Sequence, residues 1–446
     1  MYTLLLQSTP VPRDIPLDLP LPEWLLVVIL VISFLLHIVF VNLMLGGTLL
    51  TLWAEVKGLK NRDYDTLAEE IAKTVTVNKS LAVVLGVAPL LSINVLYTVY
   101  FYSANALTGL MWISVIPLVT IAFLLTYLHK YTWKSLKDYK GLHIAIIALS
   151  SLLFLFIPLI FLVNVNLMLF PEKWGTVHGF VSALILPNVL PRYLHFICAS
   201  LAITGLFLFW YAGRKRYPFE SIFSELTRYD VKRRMYSLAL GASVTQFLIG
   251  PIVLVTLPTK GMGWNLLAVI LTGAVIALPA IYWMWRAITG PAANIDRHFW
   301  KVVGALSVTV LFMGSGRHVY RQNSLALHQK YMAEKTREFE KLSASVRAHP
   351  VKTEEEAATD PALGKVAKGA AIFKTNCSVC HQKDTRLVGP PMLEMVKIYH
   401  GNSQGLKSWI KAPGKKRPDY PQMPAFGDRL SDNDLNELAN YILSLK

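Results

Sequence analysis

WLLVVILVISFLLHIVFVNLMLGGTLLTLW, residues 24–53, runs for 30 residues without an Asp, Glu, Lys or Arg. A helix rises about 1.5 Å per residue, so about 20 apolar residues cross the ~30 Å hydrocarbon layer of a bilayer. The stretch therefore reads as a membrane-spanning helix. Seven more follow, at 81–101, 110–128, 143–167, 193–212, 235–257, 264–285 and 301–319. Pro89, Pro117, Pro158, Pro251 and Pro279 lie inside them, which packed neighbouring helices tolerate. The 446 residues are 54% hydrophobic and 16% charged, too apolar for a soluble protein of this size. The expected fold class is all-α: an eight-helix transmembrane bundle in 1–320, a charged helix and linker in 321–361, and a small all-α domain in 362–446. Met1–Leu6 is too short and lacks the basic start of a cleavable signal.

Charge orients the bundle. The segments 54–80, 129–142, 213–234 and 286–301, which follow the odd-numbered spans, hold 19 Lys or Arg, and those after the second, fourth and sixth hold 3. Basic loops stay in the cytoplasm, so both termini are expected outside a prokaryotic cytoplasmic membrane. The formal charge of +16 reads as topology plus a basic C-terminal domain, not as nucleic-acid binding.

The polar residues of the spans are few. His37 lies in the first and His195 at the outer end of the fifth. An imidazole in hydrocarbon needs a partner, either a metal or a carbonyl of a neighbouring helix, and both readings stand for each. His129 and His143 are expected at the interface, and His298, His328 and His349 at the surface. No Asp or Glu falls within the eight apolar stretches, so a bundle built for electrons, not for proton channels, is expected.

Residues 377–381 read CSVCH, and the only other cysteine is Cys198, taken as a small core residue. Two thiols at this spacing followed by an imidazole suit covalent attachment of one haem c, with Cys377 and Cys380 as thioethers and His381 as axial ligand. A structural zinc site would need two further ligands at finger spacing, and only His400 is near. Residues 362–446 resemble a small class I cytochrome c throughout: an amphipathic helix from Gly364 to Thr375, Val388-Gly389-Pro390, and YPQMP at 420–424. The resemblance makes Met423 the distal ligand, and a His/Met pair raises the haem potential. Ser431 caps a closing helix with an apolar stripe at Leu435, Leu438, Ala439 and Ile442. The basic run Lys411, Lys415, Lys416 and Arg417 reads as a solvated loop or as a docking patch for an acidic external redox protein.

Upstream, SFLLHIVFVNLMLG at 33–46, LPNVLPRYLH at 186–195 and WYAGR at 210–214 resemble helices one and five of cytochrome bd oxidase subunit I. The resemblance implies haem b, one or two, with His37 and His195 as iron ligands and Met262 opposite His195. Gly316-Arg317 resembles the start of that family's Gly-Arg-Gln-Pro-Trp signature. There are departures. The two glutamates expected around TGLM at 108–111 are missing, the family's helix-eight glutamate falls on Gly314, and only Leu257–Gly263 stands where the quinol-holding loop would be. Oxygen reduction is therefore not expected. With that glutamate gone, His318 is the candidate ligand opposite His37.

The expected function is membrane-bound electron transfer between the quinone pool, which the resemblance implies, and an external redox partner, with other membrane subunits. The alternatives are a terminal oxidase with a fused haem c, and a membrane anchor relaying electrons from a peripheral dehydrogenase.

Overall fold

A computed structural model describes residues 19–348, 361–418 and 420–445. The tether expected over 349–360, and with it His349, lies outside the described residues. The chain forms two compact units, Met1–Thr336 and Arg337–Lys446.

Among the described residues the first unit is built of α1 (Glu23–Gly58), α2 (Arg62–Leu96), α3 (Thr98–Thr108), α4 (Leu110–Tyr131), α5 (Lys140–Leu167), α6 (Phe180–Leu184), α7 (Val189–Gly213), α8 (Phe219–Ile222), α9 (Arg228–Val255), α10 (Trp264–Thr289) and α11 (Phe299–Ala348), the last of which runs on past Thr336. Seven of these are long and apolar enough to cross a membrane, consistent with a multi-pass membrane protein. Val84, Leu110, Ile116, Val255 and Trp264 are among the large apolar side chains left exposed, as a lipid-facing surface requires.

The expected second span is not one straight helix. Leu81–Leu96 and Thr98–Thr108 meet at 110°. The break is at Tyr97, which is buried and leaves helical geometry (φ −133°, ψ 38°). Beyond it, Tyr100 and Phe101 pack into a core with Ile160, Leu167, Trp174 and Phe180. Burying those aromatic rings outweighs continuing the helix. Thr108 and Asn105 then bond Asn164 of α5 at 2.6 and 3.0 Å, so the arm's polar groups are satisfied.

Helices also outrun their apolar stretches. Segment 54–80, expected as a loop, continues α1 to Gly58 and starts α2 at Arg62, where Asn61 accepts a bond from the backbone of Asp63. Asp63 in turn accepts from the backbone N–H groups of Ser224, Glu225 and Leu226, at 2.6–3.2 Å, and pins the turn before α9. Thr227 and Asp230 form a capping box there. Likewise α11 runs unbroken past residue 320. Arg321, Ser324 and His328 are buried, and His328 Nδ1 lies 3.0 Å from the Tyr100 hydroxyl. The surface position expected for His328 is thus wrong, because the bent α3 arm covers it. His298 is half-buried and stacks on Trp283.

α1 crosses α7 at Gly46. A Cβ there would sit 2.2 Å from Thr204 Oγ1 and 2.5 Å from the Ser200 carbonyl. Small residues let helices approach this closely in a membrane.

The second unit contains α12 (Pro361–Asn376), α13 (Met392–Ile398), α14 (Ser403–Lys411) and α15 (Asp432–Ser444). Ser431 and Asp434 form the capping box of α15, and Leu435, Leu438, Ala439 and Ile442 are buried as their spacing predicts. α12 crosses α15 at Gly369, where a Cβ would meet the Glu437 carbonyl at 2.1 Å.

Candidate functional sites in the two units

The end of α12 continues as a hydrogen-bonded turn. Cys377 N–H donates to Phe373, and His381 N–H to Cys377, at 2.8 and 2.9 Å. This i, i+4 step brings Cys377 and His381 to one side of the chain. The two thiols are not bridged. Burial, and then the neighbouring Cys380, push the Cys377 thiol up to about 11. His381 Nδ1 donates to the Pro390 carbonyl at 2.8 Å, which leaves the Nε2 lone pair free for a metal. Val388 and Gly389 N–H both donate to the Cys380 carbonyl, at 3.2 and 2.7 Å. A Cβ on Gly389 would lie 2.3–2.8 Å from the imidazole, so only glycine leaves the ring its place. Met423 is half-buried beside the core of Met392, Leu406, Ile410 and Phe426. Two unpaired thiols, an imidazole of fixed tautomer and a thioether fit a covalent haem.

In the bundle, His37 Nδ1 donates to the Ala82 carbonyl on α2 at 2.8 Å, and its ring lies against Gly86. This is the neighbouring-carbonyl arrangement, and it too leaves Nε2 unbonded to Ala82. His318 Nδ1 is 3.4 Å from the Tyr97 hydroxyl, at the α2–α3 break. His195 differs: its Nδ1 is buried with no hydrogen-bond partner. Met262 follows the turn Thr259–Gly261 and packs, half-buried, on the core of Leu266 and Tyr320. Among the described residues no hydrogen bond joins any two of His37, His195, Met262 and His318. Glu172, in the short turn Pro171–Thr176, pairs with Lys260 at 2.8 Å.

Three arginines gather near these groups. Arg192, one turn before His195, has a buried Nη1 without a partner. Arg317 lies 5.6 Å over the Phe34 ring, and Arg321 lies 4.9 Å over Tyr97. Arg317 is within electrostatic reach of both Arg192 and Arg321. Among the described residues no carboxylate forms an ion pair with any of the three. Arg192 and Arg317 stand in the quoted motifs. Arg321 stands outside those motifs, although its i+4 spacing from Arg317 puts both on one helical face.

The opposite end of α1 holds a cluster that periodicity missed. Glu55 is fully buried, and His129 and His143, expected at the interface, are 1% exposed and bonded to its carboxylate. The bundle therefore does bury an acid. The apolar run stops at Trp53 while the helix goes on, and histidines ending one helix and starting the next were the available signal.

The Cytochrome c family model matches residues 366–446. Cytochrome c6 of Bumilleriopsis filiformis is 34% identical over 82 residues, which are 18% of this chain and 90% of that protein. Cytochrome c6 of Diacronema lutheri is 34% identical over 85 residues, 18% of this chain and 96% of that protein. Cytochrome c6 of Petalonia fascia is 30% identical over 82 residues, 18% of this chain and 91% of that protein.

Proposed function

The chain belongs to the cytochrome c family through its C-terminal domain, and on that premise we propose a membrane-embedded electron-transfer protein linking the quinone pool to a redox partner outside the membrane. The C-terminal domain carries a covalent haem c, and electron transfer through haem follows from it. Cys377 and Cys380 would hold it, with His381 and Met423 as axial ligands. Bound haem supplies a one-electron ferrous/ferric couple.

The observation that carries the second half of the proposal is the pair of buried, unpartnered polar atoms on α7, His195 Nδ1 and Arg192 Nη1. Uncompensated polar and charged groups are costly inside a membrane bundle. An anionic, metal-bearing group would answer both, its negative charge pairing with the Arg192 guanidinium and its iron taking a nitrogen of the His195 ring, with Arg317 and Arg321 adding positive charge. Haem b, one or two per chain, is that group in this reading: His195 with Met262 would hold the first, and His37 with His318 a second. Glu55 lies 18 residues along α1 from His37, about 27 Å at helical rise. A carboxylate so far along the helix does not serve oxygen chemistry at these sites, so a terminal oxidase is not proposed.

Docking of an acidic external partner would rest on Lys415 and Lys416. The other two charges of the basic run are paired, Lys411 with Asp432 at 3.0 Å and Arg417 with Glu394. The side of the membrane follows the charge asymmetry of the loops, which favours an outer, periplasmic haem c domain.

The test is redox difference spectroscopy of the purified chain, with haem b and haem c quantified, with and without carbon monoxide. One or two b-type haems per haem c and no response to carbon monoxide are expected. Haem c alone would remove the bundle sites, and a strong carbon monoxide response would restore the oxidase reading.

A further inference from the structure

Glu55, His129 and His143 come from three helices, α1, α4 and α5, and their donor atoms lie within 4.8 Å of one another. The hydrogen bonds dictate which lone pairs meet. His143 Nε2 is 2.8 Å from the His129 carbonyl, which only accepts, so Nε2 carries a proton. In the neutral ring, Nδ1 then points a lone pair at Glu55 Oε1, itself an acceptor. His129 Nε2 meets the other carboxylate oxygen at 2.7 Å. Two acceptors face each other in a buried site only when a positive species, a proton or a metal ion, holds them together. Lys140 does not provide it: its ammonium is 3.6 Å from Glu55 but 2.6 Å from Asp65, whose charge it balances. Trp133 stands edge-on to both imidazoles, at 5.1 and 4.7 Å, and fixes their orientation.

We infer that Glu55, His129 and His143 bind a divalent transition-metal cation of the zinc class, tying α1, α4 and α5 together. Two imidazoles and a carboxylate are a donor set for zinc. The bond from His143 to the His129 carbonyl is the outer-shell anchor that metal-bound imidazoles make. All three ligands are buried, which keeps substrate out, and a water or the second Glu55 oxygen would complete the tetrahedron.

The test uses the full-length, haem-loaded protein in detergent, without a histidine tag. It is incubated with zinc ions alone and freed of excess, and zinc per chain is measured by mass spectrometry. About one zinc per chain is expected, with two imidazoles in its X-ray absorption fine structure. Glu55→Gln and His143→Gln should each weaken zinc binding by about tenfold or more, with the haem spectrum unchanged. Absence of bound zinc, or equal retention by both variants, would overturn the site and leave a proton as the bridge. Should a variant fail gel filtration, the zinc count and imidazole signature of the unaltered protein decide.

Discussion

His381 gives its Nδ1 proton to the carbonyl of Pro390, nine residues further on, at 2.8 Å. The bond closes the loop between the two residues and leaves the other imidazole nitrogen free to bind iron. Gly389, beside that carbonyl, leaves the ring its space.

Gly389→Ala tests this arrangement. Its methyl would overlap the imidazole, so the ring or the loop must move. A loss of about 1–3 kcal/mol in the stability of the haem c domain is expected, as for overpacking elsewhere. Thermal melts measure it, with haem still covalently bound because both cysteines remain.

His195→Ala and Arg192→Gln separate the bundle from the C-terminal domain. Loss of at least half of the b-type absorbance is expected in the first and a smaller loss in the second, with the c-type band intact in both. Pyridine haemochrome spectra give the two contents. Unchanged haem b in His195→Ala would exclude that ligand.

Asp63 sets an acid limit. Burial raises its pKa, but hydrogen bonds from Leu226, Glu225 and Ser224 outweigh burial and hold the carboxyl below its ordinary value. A depressed folded-state pKa contributes stability that is fully present above the unfolded value, about 3.9, and fades as pH falls below it. Asp63→Ala should lose about 1–3 kcal/mol at neutral pH, and its stability should fall less steeply below about pH 4. Melts in detergent from pH 3 to 7 check the slope.

Lys415→Glu with Lys416→Glu should slow electron exchange with an acidic partner protein by about tenfold at low salt, and the difference should shrink at high salt. Stopped-flow kinetics at several ionic strengths read it, with the haem c spectrum as control.

Much of the C-terminal domain is legible in its sequence because each signal is local. The spacing of Cys377, Cys380 and His381 is a few residues, and the cap at Ser431 and the stripe from Leu435 to Ile442 repeat at helical period. The bundle is legible as apolar stretches for the same reason. Its polar sites are not. Glu55 meets His129 and His143 across 74 and 88 residues, and His328 meets Tyr100 across 228. No period connects such partners.

Length and apolarity thus determine that the chain is helical and where most of its helices lie, because a bilayer demands continuous internally bonded spans. The order of charges in the loops adds an expected orientation. Which polar groups are buried, where the second span bends and which arginines gather depend on packing between helices far apart in the chain. A buried charge reveals itself only by the neighbours it is given. Glu55 in the sequence is a charged residue after a hydrophobic run. In the fold it joins three helices through two imidazoles.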